Sequence, residues 1–195
     1  MHGIGKLKSL QGLDGFYVMN EIGYKIGELE HMNDLRQLRI KLLENVKDAE
    51  EACSAKIYQK RNLMDLSLEW NDIYISNWGP MVEHPSIPET LLNICDPYLD
   101  EKVLDNLQPH NSLKQLRIYS FMGARSAIWM NNMNSISNLE CIRLEGCLEW
   151  QTLPPFGQLP FLKYLLPRDM PKAKLLDNKF HGNGKGCLFP SLKVN

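Results

Sequence analysis

The chain has 195 residues, of which 44% are hydrophobic, so it is long enough to bury the core of one ordinary domain. Its 22 basic and 23 acidic residues nearly cancel, which excludes a global field that would attract nucleic acid or an anionic membrane surface. No apolar run approaches the ~20 residues of a membrane helix, and the odd, widely spread set of five cysteines favours a reducing, cytoplasmic location.

A leucine pattern, L-x-x-L-x-L with Ile sometimes in the third place, recurs along the chain. Weaker copies begin at Leu10, Leu162 and Leu192. The four well-formed copies are Leu35, Leu38, Ile40; Leu63, Leu66, Leu68; Leu113, Leu116, Ile118; and Leu139, Ile142, Leu144. Successive copies begin about 23 to 30 residues apart except at one interval of about 50, close to the ~20 to 29 residue period of leucine-rich repeats.

Residues 1–70 are predicted to contain leucine-rich repeats with a helical return at about residues 48–60. The return reads DAEEACSAKIYQK, and its apolar residues Ala49, Ala52, Cys53 and Ile57 fall on one helical face. A helix here carries the chain from the end of one strand to the start of the next.

Residues 71–112 are predicted to be either an irregular insertion or one degenerate repeat, because the long interval equals two periods. Four prolines between residues 80 and 97 favour irregular backbone over 71–98. Leu99, Val103, Leu104 and Leu107 share one face just before Pro109, so a short helix is predicted near 99–107.

Residues 113–195 are predicted to return to leucine-rich repeats. The copy at Leu192 stops at Asn195, so we expect the array to be truncated at its C-terminus. The copy at Leu162 carries Pro167 in its third apolar place, and proline cannot donate to an interior ladder. We therefore expect the fifth of these strands to be shortened or slipped.

The spacing of the pattern predicts an α/β fold, a curved leucine-rich repeat solenoid with a parallel concave sheet and an irregular helix and loop convex side. Side chains alternate along a strand, so the apolar residues of x-L-x-L-x point inward while their neighbours point out along the concave face. One repeat cannot bury its apolar face alone, and the core forms only when several stack.

The outward positions of the five strands from Leu35 onward are the best candidates for a binding surface. Of these twenty positions eight are basic and four are acidic, and Arg117 is expected to neighbour Arg143. Arg and Tyr are enriched at interfaces, although Lys and Arg also simply solvate exposed sheet faces. The predicted protein-binding residues are Arg36, Arg39, Lys41, Lys114, Arg117, Tyr119, Arg143, Lys163, Tyr164 and Arg168.

Enzyme chemistry finds little support in the residues. Cys187 lies near His181, but no third group is available to orient the base. His31, His84 and His110 lack metal-ligand spacing. We therefore predict no catalytic, metal or cofactor-binding residues and no small-molecule substrate. The four tryptophans, at positions 70, 78, 129 and 150, are expected to pack in loops and in the convex-side core.

Two stretches carry more than a generic repeat. They are Leu43 to Trp70, LENVKDAEEACSAKIYQKRNLMDLSLEW, and Val103 to Pro190, with the blocks VLDNLQPHNSLKQLRI, ISNLECIRLEGCLEWQTLPPFGQLPFLKYL and KFHGNGKGCLFPSLK in that order. In this succession the chain resembles the leucine-rich repeat region of plant coiled-coil nucleotide-binding leucine-rich repeat (NLR) disease-resistance proteins.

The resemblance implies a cytoplasmic role in plant innate immunity. In that family the repeats follow a nucleotide-binding switch domain, restrain it, and help detect pathogen effectors or altered host proteins, so the implied partner is a protein. No P-loop is present, because Leu7 and Gly186 stand where its hydroxyl residue belongs. The alternatives are a stand-alone scaffold or regulatory fragment without immune signalling activity, and a secreted repeat receptor, which would show a signal peptide and capping cysteines.

Overall fold

A parallel sheet forms where the leucine pairs recur. The computed structural model describes residues 3–70 and 96–173, and within these ranges six strands pair in chain order. The strands are β1 (Gly12–Tyr17), β2 (Gln37–Lys41), β3 (Asp65–Glu69), β4 (Gln115–Tyr119), β5 (Cys141–Glu145) and β6 (Tyr164–Arg168). Every neighbouring pair is parallel. The predicted leucine-rich repeat solenoid is confirmed.

The inward residues of successive strands stack in register and exclude water. Leu38 pairs with Leu66, which pairs with Leu116, and Leu116 pairs with Ile142. None of these four side chains is more than 2% exposed. Each fully buried aliphatic side chain of this size contributes about 1.5–3 kcal/mol, so the stack is the main source of cohesion between repeats.

The return segments are short helices. There are two α-helices within the described ranges, α1 (Ala49–Ser54) and α2 (Pro97–Asn106). The 3-10 helices are Ile4–Lys6, Ile26–Leu29, Leu43–Asn45, Ile57–Gln59, Ile128–Asn131, Met133–Ile136 and Phe156–Gln158. Over residues 48–60 the helical return is thus two pieces, α1 and one 3-10 turn.

Both α-helices begin at an aspartate. The Asp48 carboxylate accepts a hydrogen bond from the Glu51 amide at 2.8 Å, and Asp96 accepts from the amides of Tyr98 and Leu99. These bonds satisfy amides that the first helical turn leaves unpaired. Pro97 fits the next position of α2 because that position needs no amide donor. Helix α2 then buries the apolar face predicted near residues 99–107.

The long interval between the third and fourth repeats adds no strand between β3 and β4. Asp65 pairs directly with Gln115, and Leu66 with Leu116. The predicted irregular segment 71–98 falls largely outside the described residues.

Strand β6 corrects the expectation that Pro167 shortens or shifts its strand. β6 is five residues long, like its neighbours, and Pro167 pairs in register with Leu144. The Tyr164 amide donates to Glu140, and the Arg168 carbonyl accepts from the Gly146 amide. Because strand residues alternate in direction, the nitrogen of Pro167 points away from β5. Proline therefore removes no bond from the β5–β6 ladder.

Strand β1 contains a bulge that the leucine pattern does not reveal. The register with β2 shifts between Asp14 and Phe16, so Phe16, and not Gly15, takes the second inward place. Gly15 has a φ of 123°, which residues with a Cβ rarely adopt. The bulge brings Phe16 into the core at 3% exposure.

Three aromatic rings link consecutive repeats behind the sheet. The Phe121 ring lies 5.1 Å from that of Trp70 and 5.1 Å from that of Trp150, both in edge-to-face geometry. Trp129 is also buried, and its indole nitrogen donates to the Leu104 carbonyl at 2.9 Å. The predicted burial of tryptophan is confirmed at Trp70, Trp129 and Trp150, whereas Trp78 lies outside the described residues.

Lys60 joins two repeats on the side opposite the sheet. Its side chain is fully buried, and Nζ donates to the carbonyls of Leu29 at 2.6 Å and Met32 at 3.3 Å. These carbonyls lie at the end of the return of the preceding repeat, where the Leu29 carbonyl also accepts the Met32 amide. Burial lowers the pKa of Lys60 to about 8.

Candidate functional site

The strands of the concave face begin with a backbone hydrogen-bond pattern that recurs from repeat to repeat. The carbonyl of the residue preceding each of the strands β1 to β5 accepts two amides from the next repeat. At Arg36 the donors are Met64 at 2.9 Å and Asp65 at 3.1 Å, and the same pairing recurs at Gln11, Met64, Lys114 and Glu140. Side chains on this face are therefore held at the ~4.8 Å spacing of neighbouring strands.

A column of outward residues runs across the middle of the sheet. Arg39 pairs with Ser67, Ser67 with Arg117, Arg117 with Arg143, and Arg143 with Leu166. The expected neighbourhood of Arg117 and Arg143 is thus confirmed as geometry, while their role in binding stays a prediction. Two adjacent guanidinium groups repel, so the arrangement needs carboxylates nearby.

Those carboxylates come from the same face. Arg117 Nη1 lies 2.6 Å from Asp65, and Arg143 Nε lies 3.5 Å from Glu145. Arg39 contacts Glu69 at 2.5 Å, and Ser67 donates to the same carboxylate at 3.3 Å. Most of the predicted binding cations are therefore already paired within the molecule.

The remaining predicted residues differ in their contacts. Lys41 lies 3.5 Å from Glu69, whereas Arg36 is exposed and has no ion pair within the described ranges. Tyr119 and Tyr164 are half-buried on β4 and β6. The other cations, Lys114, Lys163 and Arg168, pair with Glu140 or Glu145.

Sequence reasoning missed the contribution of β1 to this face. Arg39 also lies 3.6 Å from Asp14, and the Lys41 ammonium lies 5.4 Å from the centre of the Tyr17 ring, within cation–π range. The leucine pattern that begins at Leu10 is incomplete. The bulge in β1 also places Tyr17 on the outward face, where simple alternation from Leu13 would point it inward. The alternation of apolar and polar residues in the segment GLDGFY could have indicated that β1 contributes to this face.

A cleft of about 190 Å³ lies between β1 and β4, lined by residues that include Arg39, Ser67, Arg117 and Tyr119. Pockets that hold small molecules are typically larger, about 300–1,000 Å³. The cleft is instead a recess in a broad polar surface, of a size that can receive one side chain.

Cys141 and Cys147 show no sign of activation. Cys147 is fully buried and its thiol donates weakly to the carbonyls of Ile118 and Glu145, as expected for a structural residue in the Asn or Cys position of the repeat. Burial raises the pKa of Cys147 to about 12 and also raises that of Cys141. A nucleophilic cysteine requires the opposite shift. Cys187 and His181 lie outside the described residues.

Over residues 3–70 and 96–173, no group of three or more His, Cys, Asp or Glu side chains is placed to hold a metal ion. In the same ranges no helix combines the length and apolar character needed to cross a membrane. His84 is among the residues that are not described.

The parallel sheet, the stacked leucines and the polar concave face define a leucine-rich repeat solenoid. Residues 26–170 match the family described as R13L1/DRL21 leucine-rich repeats, and the chain belongs to this family. It is therefore the leucine-rich repeat region of a plant disease-resistance type of protein, as the resemblance implied.

Individual relatives agree with this assignment. The chain is 35% identical over 161 residues to disease resistance protein RGA2 of Solanum bulbocastanum, covering 83% of the chain and 15% of the relative. It is 32% identical over 167 residues to putative disease resistance RPP13-like protein 1 of Arabidopsis thaliana, covering 85% and 15%. A second Arabidopsis relative, putative disease resistance protein At3g14460, is 34% identical over 195 residues, covering 96% and 13%. The chain thus spans about one seventh of the length of these relatives.

Proposed function

We propose that the chain is the protein-binding module of an intracellular plant immune receptor. In this proposal its concave face recognises a pathogen effector or a host protein in the cytoplasm, and in the longer receptor the repeats restrain a nucleotide-binding switch domain. The chain acts by binding and not by catalysis. The observation that carries the proposal is the column of arginines held in register on the concave face.

This column is suited to binding a protein because it is both ordered and solvent-facing. Arg117 and Arg143 retain partly exposed side chains although each touches a carboxylate. Their backbone is fixed by the ladder, so association loses little chain entropy. Arg and Tyr in such positions are the residue types that most often carry binding energy.

The names of the relatives support the biological setting. Each is called a disease resistance protein or a putative one, and the aligned region covers most of this chain. In this proposal the inward residues make the fold and the outward residues choose the partner.

Charge reversal at the middle column tests the proposal. A tagged chain carrying Arg117→Glu and Arg143→Glu is expected to capture less than about a tenth of the partner that the unmodified chain captures from leaf extract. A tenfold loss of affinity requires a loss of only about 1.4 kcal/mol of binding free energy. Quantitative mass spectrometry of the captured proteins measures this loss.

Two controls separate binding from folding. Arg61→Glu with Lys102→Glu makes the same charge change at exposed positions of the return segments and is expected to leave capture unchanged. Arg117→Gln with Arg143→Gln avoids repulsion with Asp65 and Glu145 and is expected to lose capture while keeping the wild-type circular dichroism spectrum. Unchanged capture by both arginine variants would remove these residues from the binding surface.

A further inference from the structure

One cation of the concave face has no carboxylate partner within the described ranges. The other cations of β2–β6, and of the residues that directly precede these strands, each lie within 3.5 Å of a carboxylate: Arg39, Lys41, Lys114, Arg117, Arg143, Lys163 and Arg168. Arg36 is exposed, and its guanidinium group forms no such contact. The carboxylate of a partner can therefore approach Arg36 without separating an existing ion pair.

Arg36 belongs to a row of residues that backbone hydrogen bonds fix at the N-terminal ends of the strands. The Arg36 amide donates to the Gln11 carbonyl at 2.7 Å, and the Met64 amide donates to the Arg36 carbonyl at 2.9 Å. The Lys114 amide donates in turn to the Met64 carbonyl at 2.9 Å. Because neighbouring strands lie ~4.8 Å apart, Met64 is placed between the two cations of the row. Its side chain is 44% exposed, so an apolar thioether is open to a partner there.

The row forms one side of a groove of about 350 Å³, here called the Met64 groove. Its lining residues are Gln11, Arg36, Gln37, Met64, Asp65, Lys114 and Gln115. Three of them are glutamines, whose side-chain amides both donate and accept hydrogen bonds, as peptide groups do. Gln115 already accepts from Arg117 Nη2 at 2.8 Å, which leaves its amide nitrogen to donate. The groove therefore offers a cation, an apolar thioether and amides that match a peptide backbone.

The charges that line the Met64 groove favour an anion. Asp65 is the one carboxylate in the lining, and Arg117 holds it at 2.6 Å. Lys114 lies 3.0 Å from Glu140, but the same carboxylate also pairs with a second lysine at 2.7 Å. These two lysines and their shared carboxylate carry one net positive charge, and Arg36 adds another.

Other charged groups at this end of the strands do not cancel the excess. Lys8, Asp34 and Arg61 are exposed on the loops before β1, β2 and β3, and two of these three residues are basic. Hydrogen bonds from Lys163 and then Lys114 lower the pKa of Glu140 to about 2, so the net charge of this group does not change near neutral pH. The Met64 groove thus has an electrostatic preference for a carboxylate.

The Met64 groove adjoins the cleft between β1 and β4, because Gln37 and Asp65 line both. Along β2, Gln37 and Arg39 are two residues apart, a distance of roughly 6.6 Å in a strand. Side chains on one face of an extended peptide have the same spacing. One extended segment can therefore place one side chain in the groove and the next side chain of that face in the cleft, beside Tyr119.

We propose that the Met64 groove binds an extended segment of a partner protein through a glutamate side chain. The glutamate carboxylate pairs with Arg36, and its two methylene groups contact the Met64 thioether. The glutamine amides of the groove bond the peptide groups on either side of the glutamate. The proposal rests on the proposed function and specifies the chemistry of the partner.

A nuclear magnetic resonance titration of the full chain with a short peptide tests this chemistry. The peptide is blocked at both ends and has a central glutamate, a valine on each side of it, and a threonine beyond each valine to reach the cleft. We expect saturable shifts of the Met64 methyl signal and of the side-chain amide signals of Gln11, Gln37 and Gln115. Replacing the central glutamate of the peptide with glutamine is expected to weaken binding about threefold to fivefold, the effect of one partly exposed ion pair.

Matched variants locate the carboxylate. Arg36→Gln breaks no ion pair within the described ranges and is expected to lose most of the preference for the glutamate peptide. Lys102→Gln removes an exposed cation from α2 and is expected to keep that preference. Met64→Ala is expected to weaken both peptides to a similar degree, because glutamate and glutamine share the same methylene groups.

Three results would overturn the inference. The first is the absence of saturable shifts, and the second is a set of shifts that lies away from the Met64 groove. The third is an undiminished preference for glutamate in the Arg36→Gln variant, which would show that another cation binds the carboxylate.

The outcomes also separate this inference from the proposed function. If the glutamate peptide fails to bind while the Arg117 and Arg143 variants still lose their captured partner, the concave face binds proteins but not through a glutamate in the Met64 groove. If the peptide binds as expected but capture is insensitive to those variants, the groove stands and the middle column is not the main contact surface.

Discussion

Replacing Phe121 with alanine is expected to lower the free energy of unfolding by about 3–5 kcal/mol, the range typical of large aromatic side chains removed from a core. Phe121 is completely buried and makes edge-to-face contacts with Trp70 and Trp150. These partners belong to different repeats whose strands are fixed by the ladder, so the structure has little freedom to close the cavity. Urea titration followed by far-UV circular dichroism measures the loss.

Phe161→Ala is the matched control for this prediction. The same ring is removed, but Phe161 is 55% exposed, and a surface substitution of this kind typically changes stability by about 0.5 kcal/mol or less. The urea dependence of the transition should stay similar in both variants, so that midpoints can be compared. A loss at Phe121 no larger than that at Phe161 would contradict the idea that the aromatic rings connect the repeats.

Replacing Asp100 with asparagine is expected to change how stability depends on pH. Asp100 is 4% exposed on α2, and burial raises its pKa from 3.8 to about 7. Glu44 and Asp96 raise the pKa further, whereas the Met122 backbone and the Trp70 indole favour the ionised form. The folded protein therefore holds this proton more tightly than the unfolded chain does.

The sign of the effect follows from proton linkage. Between about pH 4 and pH 7 the folded state binds more protons at this site, so stability falls as pH rises and levels off above pH 7. Each pH unit in this window costs at most about 1.4 kcal/mol, so the whole effect is on the order of 4 kcal/mol or less. Asp100→Asn removes this dependence and is expected to be more stable than the wild-type chain at pH 8.

Urea titrations at pH 4.5, 6 and 8 check this result, since the difference between variant and wild type isolates Asp100 from other groups that titrate in the same range. The control is Asp96→Asn, which changes an exposed carboxylate of the same helix to another good N-cap residue. A stability difference between Asp100→Asn and wild type that stays constant with pH would show that Asp100 keeps its ordinary pKa.

The sequence was sufficient to predict the parallel sheet because each strand obeys a local rule. Leu66 and Leu68, for example, alternate with polar residues, and both are fully buried. Pro167 misled the prediction because the cost of a strand proline depends on the direction in which its nitrogen points. The register shift between β1 and β2 at Gly15 also depends on backbone geometry and not on the order of apolar residues.

The ion pairs of the candidate site were beyond the reach of a local pattern. Arg117 contacts Asp65, 52 residues earlier in the chain, and Arg39 contacts Glu69, 30 residues later. Such partners are set by the stacking of repeats and by the interval between β3 and β4. The composition of the face indicated a basic surface, whereas the structure shows that most of its cations are paired with carboxylates of the same face.

Oxidative footprinting of the chain, free and bound to the protein it captures, tests whether the concave face is the binding surface. Four reporter side chains are comparably accessible: Met64 and Tyr17 on the concave face are 44% and 45% exposed, and Tyr58 and Tyr98 on the return segments are 46% and 64% exposed. If the concave face is the binding surface, the partner will lower the oxidation of Met64 or Tyr17 and leave Tyr58 and Tyr98 unchanged. Protection of Tyr58 and Tyr98 alone would rule out binding at the concave face and assign it to the return segments.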